Sequence, residues 1–168
     1  MVKRTADYWI SRLNLSTHIE GGAFREIYRS PVMVPRPALP LSFNGDRSFC
    51  TSIYFLLKNN QFSAFHKIKS DEIWHFYYGD ALIVYEIEGT GQLRVHKLGN
   101  DPDKGESFQC VISAGNWFAA RLAPKGDYAL VGCTVSPGFD FADFELATEN
   151  ELVKLFPEHE EVIRELTL

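Results

Sequence analysis

The sequence predicts a mainly β domain, an antiparallel barrel or sandwich with a short helix at each end. Three observations predict it. Between residues 49 and 135, short runs rich in β-branched and aromatic residues follow one another at a spacing of roughly ten residues. Glycine-bearing turns separate these runs, and no apolar pattern of helix length interrupts them. Thirteen Phe and seven Tyr suit the broad faces of strands better than helices.

Taken in order, the chain opens with a helix. Thr5 can cap it, and Tyr8, Trp9, Leu13 and Leu15 supply an apolar stripe at steps of three and four. At Gly21-Gly22 the period changes, and 24–29 alternates as a strand, so Glu20-Gly21-Gly22 reads as a tight turn into it. Pro31 to Pro40 holds four prolines and predicts an extended loop without a ladder. Strands are then expected over 49–58, 62–68, 72–78, 81–88, 91–98, 107–112, 117–123 and 128–135. Thr148-x-x-Glu151 has the form of a capping box, and Leu152, Leu155 and Phe156 make a helical stripe that Pro157 interrupts before Val162, Ile163 and Leu166 continue it. The whole of 1–168 reads as one domain.

Composition narrows the function classes. Seventeen basic against 22 acidic residues give a net charge of −5, with no Lys/Arg stripe to neutralise a phosphate backbone, so nucleic acid is not an expected partner. Cys50, Cys110 and Cys133 form no C-x-x-C pair and read as free thiols in a reducing compartment. The N-terminus lacks the apolar core of a secretion signal, and no apolar run approaches a membrane span. The expectation is a cytoplasmic protein without a membrane partner.

The chemistry concentrates in Phe62 to Gly79. His66 lies near the end of one expected strand and Glu72 at the start of the next. If His66 points inward, so do Ala64 and Ile68; if Glu72 does, so do Trp74 and Phe76. Two ionisable groups on an apolar and aromatic face have the composition of a small-molecule pocket. Enclosing a carboxylate is costly unless it is paired or neutralised, which marks the pair as functional.

These residues resemble the first motif of the cupins, in which His-x-His, a Glu and a Gly follow at set intervals: His66, Ile68, Glu72 and Gly79 keep the spacing, with Ile68 in place of the second His. Ser113-Ala114-Gly115-Asn116-Trp117-Phe118 resembles the second motif, with Phe118 where that motif has a His. The resemblance thus leaves two of four metal-ligand positions filled, and the expected cofactor is none; if a divalent metal binds, His66, Glu72 and His75 are its candidate ligands. From about Tyr8 to Pro157 the chain resembles one branch of the cupins, a cupin-like domain of unknown function. The blocks that carry it are Glu20-Gly21-Gly22, Arg25-Glu26, Arg29-Ser30, Thr51 to Leu57, Phe65-His66, Asp71 to His75, Ala114 to Trp117 and Pro137-Gly138-Phe139. That resemblance implies an antiparallel double-stranded β-helix, the cupin jelly-roll barrel, and a homodimer.

A more distant resemblance is to the dTDP-4-dehydrorhamnose 3,5-epimerases, metal-free cupin-fold enzymes. Glu26 resembles a carboxylate of theirs and His66 their base, while Gly21 and Ser63 stand where they carry Arg. The expected function is therefore the binding of a small molecule, with metal-independent isomerisation or epimerisation of a carbonyl or sugar-like compound by His66, oriented by Glu72, as the enzymatic reading. The alternatives are a non-catalytic ligand-binding module and a metal-dependent cupin enzyme. His66 and Glu72 are the catalytic candidates; Glu26, Trp74 and Phe118 are the ligand-binding ones.

Overall fold

The fold is described from a computed structural model, for residues 4–168. Helix α1 (Ala6–Leu13) starts where the Thr5 hydroxyl accepts from the Tyr8 amide at 3.2 Å, and it ends at Asn14, whose left-handed backbone (φ 52°) turns the chain. The short β1 (Ser16–Thr17) and the longer β2 (Ala23–Arg29) form a hairpin across Gly21-Gly22. The proline-rich stretch corrects one expectation: Val32, Met33 and Val34 between its prolines keep their amides, and β3 (Met33–Val34) pairs with β4 (Arg47–Ser48). A turn of 3₁₀ helix at Arg36–Ala38 lies between them.

The remaining strands are β5 (Thr51–Lys58), β6 (Phe62–Lys67), β7 (Asp71–Gly79), β8 (Leu82–Ile87), β9 (Leu93–Leu98), β10 (Gln109–Ile112), β11 (Trp117–Leu122), β12 (Tyr128–Ser136) and β13 (Glu145–Leu146). Eight of them match the expected runs to within two residues at either end. Helices α2 (Glu149–Leu155) and α3 (Glu160–Glu165) follow, parted by Pro157. The capping box does not form. Thr148 sits at the N-cap, but its hydroxyl donates to the Glu151 carboxylate instead of accepting from a backbone amide.

Two antiparallel sheets face each other, ordered β1-β2-β5-β12-β7-β10 and β13-β6-β11-β8-β9. Consecutive strands cross repeatedly from one sheet to the other, the double-stranded β-helix arrangement of a jelly roll. Alternation sorts the side chains: Phe55, Leu57, Trp74, Val84, Phe118 and Val131 meet in the interior. On the outside of the smaller sheet, Phe65, Trp117 and Ala119 pack under Leu152, Ile163 and Leu166 of the C-terminal segment. Ala6 and Leu15, at the ends of α1, cover Leu56, Tyr128 and Leu130 on the larger sheet.

One buried carboxylate serves this frame. Glu86 is 3% exposed and accepts from Ser113 N (3.1 Å), Asn116 Nδ2 (2.7 Å) and His96 Nε2 (2.8 Å), which ties the 113–116 turn and β9 to β8. Burial pushes its pKa up, and these bonds more than offset that and hold it below the usual carboxylate value. Glu86→Ala strands all three donors, two of them on partly exposed side chains, and is expected to cost about 2 kcal/mol in urea unfolding at pH 7. The cost should shrink as the pH falls below 4.5 through the depressed native pKa, because the parent loses the same charge there. A cost unchanged by acid would deny Glu86 this role.

Candidate functional site

A cavity of about 270 Å³ opens between the sheets at the end nearest β2. Its walls are apolar, formed by Phe24, Ile53, Phe55, Ile68, Val135 and Phe139, and its mouth carries the exposed Glu26, Arg29, Asp140 and Phe141. Its buried polar side chains are Glu20, Thr51, His66 and Glu72, with Cys133 beside them.

The folding of each strand explains these positions. His66 sits on β6 of the smaller sheet and Glu72 on β7 of the larger one, because the turn at 68–70 carries the chain from one sheet to the other. The two side chains therefore reach the cavity from facing walls. A bulge between Glu26 and Tyr28 gives β2 one extra residue against β5. Glu26 and Arg29, three apart and of opposite parity, are thereby turned to the same side. They form a two-pronged ion pair, Arg29 Nη2 to Glu26 Oε2 at 2.7 Å and Nε to Oε1 at 3.1 Å, while Nη1 donates to Phe139 O at 3.0 Å.

Glu20 completes the site, and reading it as a simple turn residue misses it. Its carbonyl accepts from Ala64 N at 2.8 Å, laying the hairpin turn over β6. Such an approach requires Gly21: its φ is +108°, and a Cβ there would stand 2.1 Å from Phe62 O. The carboxylate so placed lies with Oε2 at 3.1 Å from His66 Nε2 and takes the Ser63 hydroxyl on Oε1 at 2.9 Å. His18, also missed, stacks edge-on against Phe24, with its Nδ1 3.6 Å from Glu20 Oε2. The one available signal was the glycine pair, since two side-chain-free positions in a row mark a close backbone approach.

The hydrogen bonds settle the tautomer of His66. Its Nδ1 lies 2.7 Å from Ala64 O, a group that only accepts, so Nδ1 carries a proton, and the 3.1 Å contact of Nε2 with Glu20 Oε2 shares a second one, held by the carboxyl while the ring is neutral. Ala64 and Glu20 thus orient the ring. Glu72, expected in that role, acts on it only through charge. Burial raises Glu20 to about 6, with His18 and Ser63 working against the rise. It raises Glu72 to about 7, with the charge of His66 opposing and that of Glu20 adding to the rise. Burial lowers His66 despite Glu72 and the bond to Ala64. Two carboxyls therefore titrate near neutrality beside an imidazole whose neutral form burial favours, the condition for moving protons at that pH.

The other sequence candidates lie elsewhere. Trp74 and Phe118 stand behind the cavity lining: Phe118 packs on the His66 ring with centroids 4.1 Å apart, and Trp74 meets Phe118 and Phe55 edge-on. The Trp74 indole N–H is buried without a hydrogen-bond partner among the described residues. His75 occupies the opposite face of β7, where its Nε2 shares a hydrogen bond of 3.1 Å with Thr134 Oγ1. It cannot join His66 and Glu72 around one ion. With Ile68 and Phe118 in two ligand positions, and no convergent group of three His, Cys, Asp or Glu among the described residues, the donor set does not fit a cupin metal.

Comparison with known proteins agrees with this architecture. Residues 7–147 match the family described as Cupin superfamily (DUF985). An uncharacterised protein of Saccharomyces cerevisiae is 35% identical over 159 residues, which span 87% of this chain and 77% of the yeast protein. Two solved structures align over nearly all of both chains: a hypothetical protein from Leishmania major (TM-score 0.90, 35% identity, 98% of this chain and 99% of that one) and protein SO0799 from Shewanella oneidensis (TM-score 0.87, 37% identity, 99% of each). Oxalate decarboxylase from Bacillus subtilis shares the fold alone, with a TM-score of 0.53 and 18% identity over 89% of this chain and 36% of its own length. The order of strands, the motif spacing around His66 and Glu72, and these matches lead to one assignment: the chain belongs to the DUF985 family of the cupin superfamily.

Proposed function

We propose that the cavity binds a small organic molecule and moves protons on it without a metal, as in isomerisation or epimerisation of a carbonyl compound. The observation that carries this reading is the His66–Glu20 pair. The bond from Nδ1 to Ala64 O leaves Nε2 as the basic atom inside the cavity, 3.1 Å from a carboxylate that stabilises the imidazolium. Glu72, on the facing wall and raised to about 7, is available in its acid form to hold a carbonyl oxygen.

In such a step Nε2 takes the proton from the carbon beside the carbonyl, and its electron pair becomes the C=C bond of an enol. The carbonyl oxygen receives the Glu72 proton. Delivery of a proton from solvent to the opposite face of the same carbon, with the enol proton returning to Glu72, gives the epimer. Where that carbon bears a hydroxyl the intermediate is an enediol, and return of the proton to the former carbonyl carbon, with the neighbouring hydroxyl giving its proton to Glu72, gives the isomer.

The test is solvent exchange. A panel of small aldoses, ketoses and amino ketones is incubated with the protein in D₂O and followed by NMR. Deuterium should enter beside the carbonyl of at least one compound, and His66→Ala should slow that entry about 100-fold, within the range of general-base catalysis. Entry equally fast with His66→Ala would remove the imidazole from the mechanism. Tight binding of a panel member with no exchange would leave a binding module instead.

A further inference from the structure

The charged groups around the cavity do not balance. Glu20, Glu26, Glu72 and Asp140 line it, against the single guanidinium of Arg29. That guanidinium is engaged by both oxygens of Glu26 and by Phe139 O, and Asp140 is occupied in capping Ala142 N at 2.8 Å. The two histidines do not restore the balance, since burial disfavours the charged form of both. What remains is Glu72: 7% exposed, facing the cavity, and receiving no hydrogen bond from a nitrogen or hydroxyl among the described residues, with only the weakly donating Cys133 thiol beside it. A carboxyl enclosed to this degree without a donor calls for one from the ligand.

The walls specify the rest of the molecule. Phe24, Phe55 and Phe139 present aromatic surface that accepts an apolar body and favours a cation over an anion. An entering carboxylate or phosphate would meet no unengaged cation among the described residues and would approach two enclosed carboxyls. An ammonium group would give Glu72 the donor it lacks and would add to the Ser63 hydroxyl that Glu20 already receives.

We infer that the cavity takes a small molecule with a protonated amine joined to an apolar or aromatic body, and turns away carboxylates and phosphate esters. The inference rests on the cavity being the ligand site, and it narrows the carbonyl substrates of the proposed reaction to amino-carbonyl compounds.

Four probes sharing one ring test it by calorimetry and ligand-observed NMR at pH 7.5: 2-phenylethylamine, 2-phenylethanol, phenylacetate and phenyl phosphate. The amine should bind at least tenfold more tightly than the alcohol, and neither anion should bind in the same concentration range. Glu72→Gln should weaken the amine about tenfold and leave the alcohol unchanged. Equal binding of amine and alcohol, an anion as tight as the amine, an amine indifferent to Glu72→Gln, or no binding by any of the four at millimolar concentration each overturns the inference. The outcomes separate from those of the exchange experiment: amine selection without solvent exchange leaves the inference standing and removes the reaction, and exchange on neutral or anionic compounds without amine selection does the reverse.

Discussion

Gly21→Ala is expected to lower stability by at least about 3 kcal/mol and to displace Glu20 from the cavity. The added Cβ would lie 2.1 Å from Phe62 O, a backbone atom of β6 that cannot rotate away, and φ is +108°, a conformation that a side chain disfavours on its own account. Backbone strain and collision therefore add. Gly105 separates the two: its φ is +75° but a Cβ there meets nothing within 4 Å, so Gly105→Ala should cost only the conformational part, about 1–2 kcal/mol. Urea unfolding of both variants measures the difference. If Gly21→Ala is no worse than Gly105→Ala, the hairpin turn is not pinned to β6 and Glu20 is not held where the proposed chemistry needs it.

Glu72→Gln should act in the opposite direction and stabilise the protein at pH 8. A carboxyl raised from 4.5 to about 7 in the native state disfavours folding by about 3 kcal/mol once the pH exceeds both values. The sign follows from proton counting. Between pH 4.5 and 7 the native state holds a proton that the unfolded chain has lost, so stability is greatest below 4.5 and declines as the pH rises through 7. The neutral amide escapes that decline. Its melting temperature should exceed the parent's by roughly 6–12 °C at pH 8, taking 2–4 °C per kcal/mol for a domain of this size, and the two curves should converge near pH 4.5. Parallel curves across this range would mean that Glu72 is not held neutral by its surroundings. Stability gained by removing a group that the proposed chemistry needs is the trade expected of an active site.

Alternation and turn chemistry make the strands from β5 to β12 legible in the sequence, because the buried period of two in each run depends only on near neighbours. The terminal helices are legible for the same reason. His66 and Glu72 can also be found, since both fall on strands whose partners in parity, such as Ile68 and Trp74, are apolar. Glu20 cannot be found this way: it lies on a turn, where there is no period, and it acquires its meaning from β6, some 40 residues further on. Arg29 is concealed differently. Strict alternation assigns it the face opposite Glu26, and only the bulge at Ile27 reverses that. Trp74 and Phe118 illustrate the converse limit, because inward parity places a side chain inside the barrel without deciding whether it lines the empty part or the filled part.

The outer edge of β6 has a consequence for how the chain is made. Beyond its pairing with β13, which the Ala147 amide extends by donating to Phe65 O, two separate segments close that edge: the Glu20 carbonyl takes the amide of Ala64, and the Leu166 carbonyl takes that of Phe65. On a ribosome the strand bearing His66 thus emerges about a hundred residues before Leu166, its last partner. Until then it presents unpaired amides and apolar side chains to every neighbouring nascent chain, the situation in which open edges pair wrongly. Closure of this edge is a long-range contact and belongs late in folding, and the turn that carries Glu20 into the cavity is one part of that closure.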